Sequence, residues 1–137
     1  MSRKAILKTL IIVLVVLIAY GIASYYHNCI TEARNIRASC TLKEIAVLAV
    51  EFHEKQKRYP ASCSEIPLDK VYWIDPVSRK PWQWHPGAEY RGTEVLAWQP
   101  EPYRTWLWPF GHFERRAALK DGDTARFDYG LAVTRER

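Results

Sequence analysis

Residues 6–26, ILKTLIIVLVVLIAYGIASYY, decide the fold of this chain because they form an apolar stretch long enough to cross a bilayer. A transmembrane helix needs about 20 residues for a hydrocarbon layer of ~30 Å. The one charged residue in the stretch, Lys8, lies near its start, where its ammonium group can reach the membrane surface. The sequence therefore predicts a membrane anchor. Apolar positions of this anchor include Ile6, Leu10, Val13, Leu17 and Ile22.

A cleaved secretory signal peptide is the alternative to an anchor. Arg3 and Lys4 provide a basic start, and Gly21 and Ala23 are small residues of the kind found near cleavage sites. The apolar stretch is longer than the about 7–15 residues of a signal core, and helical sequence continues beyond it. Both features favour a retained anchor.

The charges around the apolar stretch predict its orientation. Arg3, Lys4 and Lys8 precede or enter it, whereas residues 32–37 after it carry one acid and two bases. The positive-inside rule therefore places the N-terminus in the cytoplasm and everything after Tyr26 outside.

The remaining ~110 residues are enough for one domain. Lysine and arginine number 20 against 15 acidic residues, a net charge of +5, but the basic residues are scattered and form no stripe that would favour nucleic-acid binding. We divide the chain into a cytoplasmic tip and transmembrane anchor (1–26), an amphipathic helix (27–59) and a small aromatic-rich β domain (60–137). Residues 27–137 are expected to fold as one unit.

Residues 28–57 have the pattern of an amphipathic helix. Apolar residues recur at steps of three and four, namely Ala38, Leu42, Ile45, Ala49 and Phe52. The helix should end before Pro60, since proline disfavours helical geometry in the residue ahead of it. A break near Ser39–Thr41 is left open, because Thr41-Leu42-Lys43-Glu44 has the spacing of a capping box.

After Pro60 the sequence indicates strands and turns. Residues 80–85 alternate apolar and polar before the turn signal Pro86-Gly87, and residues 93–99, TEVLAWQ, resemble a buried strand. Residues 116–120 and 124–127 flank Asp121-Gly122, a pair that suits a hairpin turn. The predicted fold class is α+β, with a long N-terminal helix packed on a small antiparallel sheet.

Three cysteines are present, Cys29, Cys40 and Cys63. Outside the cytoplasm a disulfide is permitted, and we expect Cys40 to pair with Cys63 because Cys29 should lie near the membrane surface. Sequence alone does not fix this pairing.

The sequence contains no motif that indicates catalysis or a cofactor. Its four histidines are dispersed, no glycine-rich phosphate loop occurs, and no cysteine pair has zinc-ligand spacing. We expect no enzyme activity, no cofactor, no metal site and no small-molecule substrate.

All six tryptophans follow Pro60, and packing in a small domain is the expected role of most of them. A run between residues 106 and 110 is harder to bury, because a proline and the following Gly111 mark it as a loop. Exposed apolar loops serve as a partner surface or a membrane contact. We expect this loop to dock another protein. Its candidate residues are Trp106, Leu107, Trp108 and Phe110.

Three segments carry a resemblance to a known family. LAVEFHEKQKRYPASCSEIP resembles the helix end and following loop of type IV pilin-like proteins. IDPVSRKPWQW is similar to the stretch that follows in major pseudopilins of type II secretion, and VLAWQPEP with RRAALKDGDTARF resembles their closing strands. The resemblance spans residues 6–128 and implies a pilin-like fold, a bacterial inner membrane location with the C-terminal domain in the periplasm, and membership of an envelope assembly.

The chain departs from that family at its start. Members carry a glycine-phenylalanine site and a glutamate for the prepilin peptidase, whereas this chain has no glycine before Gly21 and no acidic residue before Glu32. From the resemblance we predict a pilin-like structural component of a secretion assembly that contacts lipid and other pilin-like or membrane subunits. An accessory subunit that stabilises a larger inner-membrane complex is the alternative, and a glycan-binding module using the tryptophans is a third hypothesis.

Overall fold

One long helix, α1, forms the N-terminal part of the molecule. In the computed structural model, which describes residues 2–107 and 111–129, α1 spans Arg3–Gln56, 54 residues or ~80 Å. It begins where the Ser2 hydroxyl accepts a hydrogen bond from the amide of Ala5. It ends at Lys57, which adopts a left-handed conformation with φ 60° while its amide donates to the carbonyl oxygen of His53. The helix thus ends ahead of residue 60, as predicted.

Helix α1 has no break at residues 39–41, the position that the capping-box spacing left open. Thr41 and Leu42 are buried in the middle of the helix. Amide groups inside a helix already have backbone partners, so a side-chain cap has no unpaired amide to satisfy there. The apolar and amphipathic parts therefore form one continuous rod.

Six short strands form an antiparallel sheet behind the second half of this rod. They are β1 (Gln83–Trp84), β2 (Glu89–Tyr90), β3 (Thr93–Trp98), β4 (Tyr103–Arg104), β5 (Phe113–Leu119) and β6 (Thr124–Tyr129). β1 and β2 pair with the same strand, β3, while β3 and β4 pair with one edge of β5 and β6 takes the other. The sheet is therefore an antiparallel meander. Across it, β1 and β2 share the first position, β3 and β4 share the second, and β5 and β6 follow.

Two tight turns set the register of the meander. The predicted hairpin between residues 116–120 and 124–127 is confirmed as β5–β6, with Gly122 at φ 91° in its turn. A second hairpin, which the sequence analysis missed, joins β2 to β3 through Arg91 and Gly92, both at positive φ. Two central residues at positive φ match the twist of antiparallel strands, which is why glycine is favoured there.

The main core lies between α1 and the sheet. The helix contributes the small and aliphatic residues of the predicted stripe, and the sheet contributes Leu96 and Ala118. The connection between α1 and β1, which includes two short 3₁₀ turns at Cys63–Glu65 and Lys70–Tyr72, closes the side of this core with Ile66, Leu68 and Trp82. The fold is therefore α+β, a long apolar N-terminal helix packed with an antiparallel sheet.

A smaller core lies on the opposite face of the sheet. Val95, Trp98 and Leu119 are buried there, and the ring of Phe127 meets both Trp98 and Tyr90 edge-on. The guanidinium of the buried residue Arg115 lies 4.2 Å from the Trp98 ring centre. This second cluster buries apolar surface on the face of the sheet that α1 does not cover.

The three cysteines are free thiols, so the predicted pairing of Cys40 with Cys63 is not present. Cys63 is buried in the main core beside the apolar stripe of α1, whereas Cys40 is exposed on the outer side of the helix. Leu42, two positions after Cys40, points into that core. Residues two apart lie on different sides of a helix, which directs Cys40 away from Cys63.

Candidate functional site

The first half of α1 presents apolar side chains on all sides. Its large hydrophobic residues from Ile6 to Ile22 are between 44% and 63% exposed. A window of 18 residues in this part has a mean hydropathy of 2.6 and none of it is buried. The helix is therefore long and apolar enough to cross a membrane.

Contact between α1 and the head, by which we mean residues 57–107 and 111–129, begins inside the apolar stretch. Tyr20 is half-buried, and Ser24 has no exposed surface at all. The buried side of the helix continues through Thr31 and Asn35 to the main core. The head thus covers α1 from Tyr20 onward, six residues before the apolar stretch ends.

Two hydrogen bonds hold the loop after β4 against this part of the helix. The Tyr20 hydroxyl donates to the carbonyl oxygen of Leu107 over 2.8 Å, and the imidazole Nε2 of His27 lies 3.2 Å from the carbonyl oxygen of Arg104. The loop that begins at residue 105 is therefore located beside the end of the apolar stretch.

The same loop is closed on itself. Thr105 donates its amide to the carbonyl oxygen of His112 over 2.9 Å, and the amide of His112 donates to the Thr105 hydroxyl over 3.2 Å. Gly111 has φ 90°, and a Cβ added there would lie 2.7 Å from the backbone nitrogen of Trp106. Only glycine fits this position, so the approach of the two loop ends depends on it.

Of the four residues predicted to dock a partner, two are described. Trp106 is 41% exposed and Leu107 is partly buried. Trp108 and Phe110 lie outside the described residues. The sequence did not identify Tyr20 and His27 as neighbours of this loop. Their positions, with the buried Ser24 between them, lie three and four residues apart and therefore on one side of the helix.

A buried polar network lies one level further from the apolar stretch. The side-chain amide of Gln99 donates to Asn35 of α1 and to Asp75, in each case over 3.2 Å, and its carbonyl oxygen accepts from the backbone amide of Arg116. Asn35, Asp75 and Gln99 have no exposed surface. The network therefore joins the helix, the sheet and the loop at residue 75.

Asp75 also builds the loop in which it lies. Its two carboxyl oxygens accept hydrogen bonds from the amides of Val77 and Ser78. Its amide donates to the carbonyl oxygen of Lys80, and an isolated bridge pairs Ile74 with Pro81. The residues of the segment IDPVSRKP thus form a closed turn around one buried side chain.

Most of the described tryptophans are part of the core. Trp82 and Trp98 are buried, Trp73 and Trp84 are partly buried, and the indole N–H groups of Trp73, Trp82 and Trp98 donate to protein oxygens over 2.8 Å. The burial of Trp82 and Trp98 leaves little of either ring exposed for a sugar to contact. Trp106 is the most exposed of the described tryptophans.

A cluster of potential metal ligands lies at the edge of the sheet. His112 Nε2 is 2.9 Å from Glu114 Oε1 and 3.8 Å from Asp128 Oδ1. The guanidinium of Arg126 lies 3.3 Å from the same Asp128 oxygen, and that of Arg116 lies 3.8 Å from Glu114. These positive charges already balance the carboxyl groups, so the cluster is better suited to an ion-pair network than to a cation.

Burial and hydrogen bonding act in opposite directions on the pKa of Glu114, whereas burial and the hydrogen bond to Glu114 act in the same direction on the pKa of Tyr103. Burial alone would raise the pKa of Glu114, but hydrogen bonds from Tyr103 and His112 and the charges of two arginines lower it below the ordinary value. Burial and the hydrogen bond to Glu114 raise the pKa of Tyr103. The pair is thus held as a neutral phenol that donates to a charged carboxylate.

One side of α1 carries an exposed apolar groove. Ile36 of the helix faces the 3₁₀ turn at Val71 and Tyr72 and the neighbouring Ile74, and each of these side chains is 45–69% exposed. Cys40 lies in this groove. The described residues therefore include a second apolar surface, away from the apolar stretch.

Comparison of the chain with protein-family models, with curated proteins and with solved structures gave no match. The class of protein is therefore defined here by the fold itself: a long N-terminal helix, apolar and exposed in its first half, with an antiparallel sheet packed on its second half.

Proposed function

We propose that this protein is a single-pass, pilin-like structural component of a bacterial envelope or secretion assembly. The N-terminus lies in the cytoplasm and the head lies in the periplasm. One observation carries the proposal. Helix α1 runs without a break from the exposed apolar half into the half that packs on the sheet. A head built on a continuous helix keeps a fixed direction relative to the membrane, which suits a subunit of an ordered assembly.

The described residues support a structural role rather than chemistry. Gln99 is buried and links three elements, since it donates to Asn35 and to Asp75 and accepts from the backbone amide of Arg116. The ionisable cluster at Glu114 is balanced by arginines. These groups hold elements together, and the exposed groove around Cys40 offers a surface to a neighbouring subunit.

The accessory-subunit alternative rests on residues 1–32, in which no glycine precedes Gly21 and no acidic residue precedes Glu32. In that case the same head contacts the periplasmic part of larger integral membrane proteins in fixed numbers. The two proposals share the fold and the anchor, and differ in what binds to the groove.

Site-specific crosslinking from Cys40 tests the proposal and separates the alternatives. A thiol-reactive crosslinker is applied to native membranes, followed by mild detergent extraction and mass spectrometry of the intact complexes. A ladder of crosslinked copies of this chain supports a polymerising component, and a fixed stoichiometry with integral membrane proteins supports an accessory subunit. The Cys40→Ser variant, which retains Cys29, controls for crosslinks that do not arise in the groove.

A monomer in mild detergent, without crosslinks, would contradict both forms of the proposal. Release of the whole chain from membranes by alkaline carbonate would contradict the anchor itself. The anchor and the assembly are thus tested separately.

A further inference from the structure

We propose that the loop at Trp106 and Leu107 inserts into the lipid interface and forms a second membrane contact beside α1. The inference rests on the proposed function insofar as it requires α1 to span the membrane. It differs from the docking role that the sequence predicted, because it assigns lipid rather than protein to the exposed side of this loop.

The position of Tyr20 along α1 carries the argument. Tyr20 lies six residues before the end of the apolar stretch at Tyr26, which corresponds to ~9 Å along the helix axis. Helical side chains tilt toward the N-terminus, so the phenol points further into the apolar part. The carbonyl oxygen of Leu107 lies 2.8 Å from this hydroxyl. The loop therefore reaches the level of side chains that a membrane-spanning helix places in lipid.

Two placements of the bilayer are compatible with α1, and both bring the loop to lipid. If the hydrocarbon layer extends over residues 6–26, about 31 Å, Leu107 lies ~9 Å inside its outer boundary. If the head instead stops the bilayer at Tyr20, only residues 6–19 remain, ~21 Å, and the membrane must thin by about 9 Å to match. In that second case the loop lies on the boundary itself.

The chemistry of the loop suits the boundary between headgroups and acyl chains. Tryptophan is enriched at this level because its ring is apolar and its N–H is polar, and Trp106 is 41% exposed. Interfacial apolar side chains enter to a depth of about 5–10 Å, which agrees with the level of Tyr20.

Three backbone groups in the described part of this loop are already paired within the protein. Unpaired backbone groups are costly in lipid. The carbonyl oxygen of Leu107 is bonded to Tyr20, that of Arg104 lies within hydrogen-bonding distance of His27, and the amide of Thr105 donates to His112. Trp106 is the most exposed side chain in the described part of this loop, and its indole is the group that we place in lipid. Together with α1, the loop gives the molecule a second contact with the membrane, which restricts the tilt and the rotation of α1 and the head packed on it.

Depth-dependent fluorescence quenching in nanodiscs tests this inference on the full chain. The background carries Cys29→Ser and Cys40→Ser, and Cys63 is left in the core. An environment-sensitive probe is attached after Trp106→Cys, with Leu17→Cys as the lipid-facing control and Val71→Cys as the control on the groove side of the head. We expect the probe at 106 to shift its emission to the blue and to lose intensity with nitroxides near the top of the acyl chain. The probe at 17 should respond to deep nitroxides and the probe at 71 to none.

Each other result contradicts a different statement. If the probe at 106 behaves like that at 71 while 17 is quenched, the lipid contact is wrong and the anchor stands. If 106 is blue-shifted but not quenched by lipid, a protein surface covers the loop. If 17 is not quenched, the proposed anchor is wrong as well.

A second measurement keeps an aromatic side chain at the site. Tryptophan emission of the chain with Trp106 is compared with that of Trp106→Phe in nanodiscs of brominated lipid. We expect the brominated lipid to quench a smaller fraction of the emission in the variant. Equal fractions in the two proteins would exclude contact between Trp106 and lipid.

Discussion

The side chain of Gln99 links helix α1 to the loop of residues 75–80, because its amide nitrogen lies 3.2 Å from both Asn35 Oδ1 and Asp75 Oδ1. Its own carbonyl oxygen accepts from the amide of Arg116 over 2.8 Å. One buried amide thus satisfies groups from three elements. Buried polar groups of this kind stabilise a fold when all are paired and are costly when one partner is removed.

Gln99→Leu should destabilise the head by about 3 kcal/mol or more. The substitution leaves the Asn35 side-chain oxygen and the Arg116 amide without a partner and removes one of the hydrogen bonds to Asp75. Each unpaired buried group costs about 1–3 kcal/mol. Chemical denaturation of the full chain in detergent measures the free energy of unfolding. Gln56→Leu, at the exposed end of α1, is the matched control and should change it by less than about 0.5 kcal/mol. Equal effects of the two variants would contradict a role for the network.

Leu42→Ala should cost about 2–5 kcal/mol, the range for removing a buried leucine side chain. Leu42 has no exposed surface and belongs to the cluster with Leu96 and Ala118. Leu14→Ala, on the same helix but 57% exposed, is the matched control and should leave unfolding of the head unchanged. The effects of the two substitutions are compared through the thermal unfolding midpoint of the head. A comparable loss in Leu14→Ala would mean that the head also packs on the first half of α1.

Two of the three thiols should react with a reagent in solution, and the third should be protected from it. Cys29 and Cys40 are exposed, whereas Cys63 is buried and burial raises the pKa of its thiol. We expect a maleimide to label two cysteines of the native protein and a third only after denaturation, counted by mass spectrometry without reductant. A single reactive thiol in denaturant would instead mean that two of the cysteines form a disulfide.

The sequence predicted the elements that depend on a regular pattern. The stripe from Ala38 to Ala49 gave the packed half of α1, and Asp121-Gly122 gave the β5–β6 hairpin. The helix stripe, the turn residues and the buried strand each follow from the period of the backbone or from positive φ, which are local properties.

The parts that the sequence did not predict depend on contacts between distant residues. Tyr20 meets Leu107 across 87 positions, and Gln99 meets Asn35 across 64. β4 has two residues and is recognisable only by its pairing with β5. The expected Cys40–Cys63 pair is absent because the two side chains point in different directions. The side of α1 on which Cys40 lies and the course of the loop that carries Cys63 set these directions, and the spacing of the cysteines in the sequence does not reveal them.

The pairing of Tyr103 with Glu114 should make the stability of the head depend on pH at both ends of the range. Because hydrogen bonds and arginine charges lower the pKa of Glu114 in the folded state, its contribution is present above the ordinary glutamate value of about 4.3 and is lost as the pH falls through the folded pKa. The pKa of Tyr103 is raised, by burial and then by Glu114, so its contribution is present below the ordinary tyrosine value of about 10 and is lost as the pH rises above it.

Two variants separate the loss of stability at low pH from the loss at high pH. Glu114→Gln should flatten the acid side of a plot of thermal midpoint against pH, and Tyr103→Phe should flatten the alkaline side, although each lowers the maximum because a buried hydrogen bond is lost. Tyr72→Phe, which removes an exposed phenol, is the control for the loss of one tyrosine and should keep the alkaline decline. If the decline above about pH 10 persists unchanged in Tyr103→Phe, the buried phenol is not its source. The acid-side prediction would still stand in that case, since the charges of Arg116 and Arg126 act on the Glu114 carboxylate whether or not residue 103 donates a hydrogen bond.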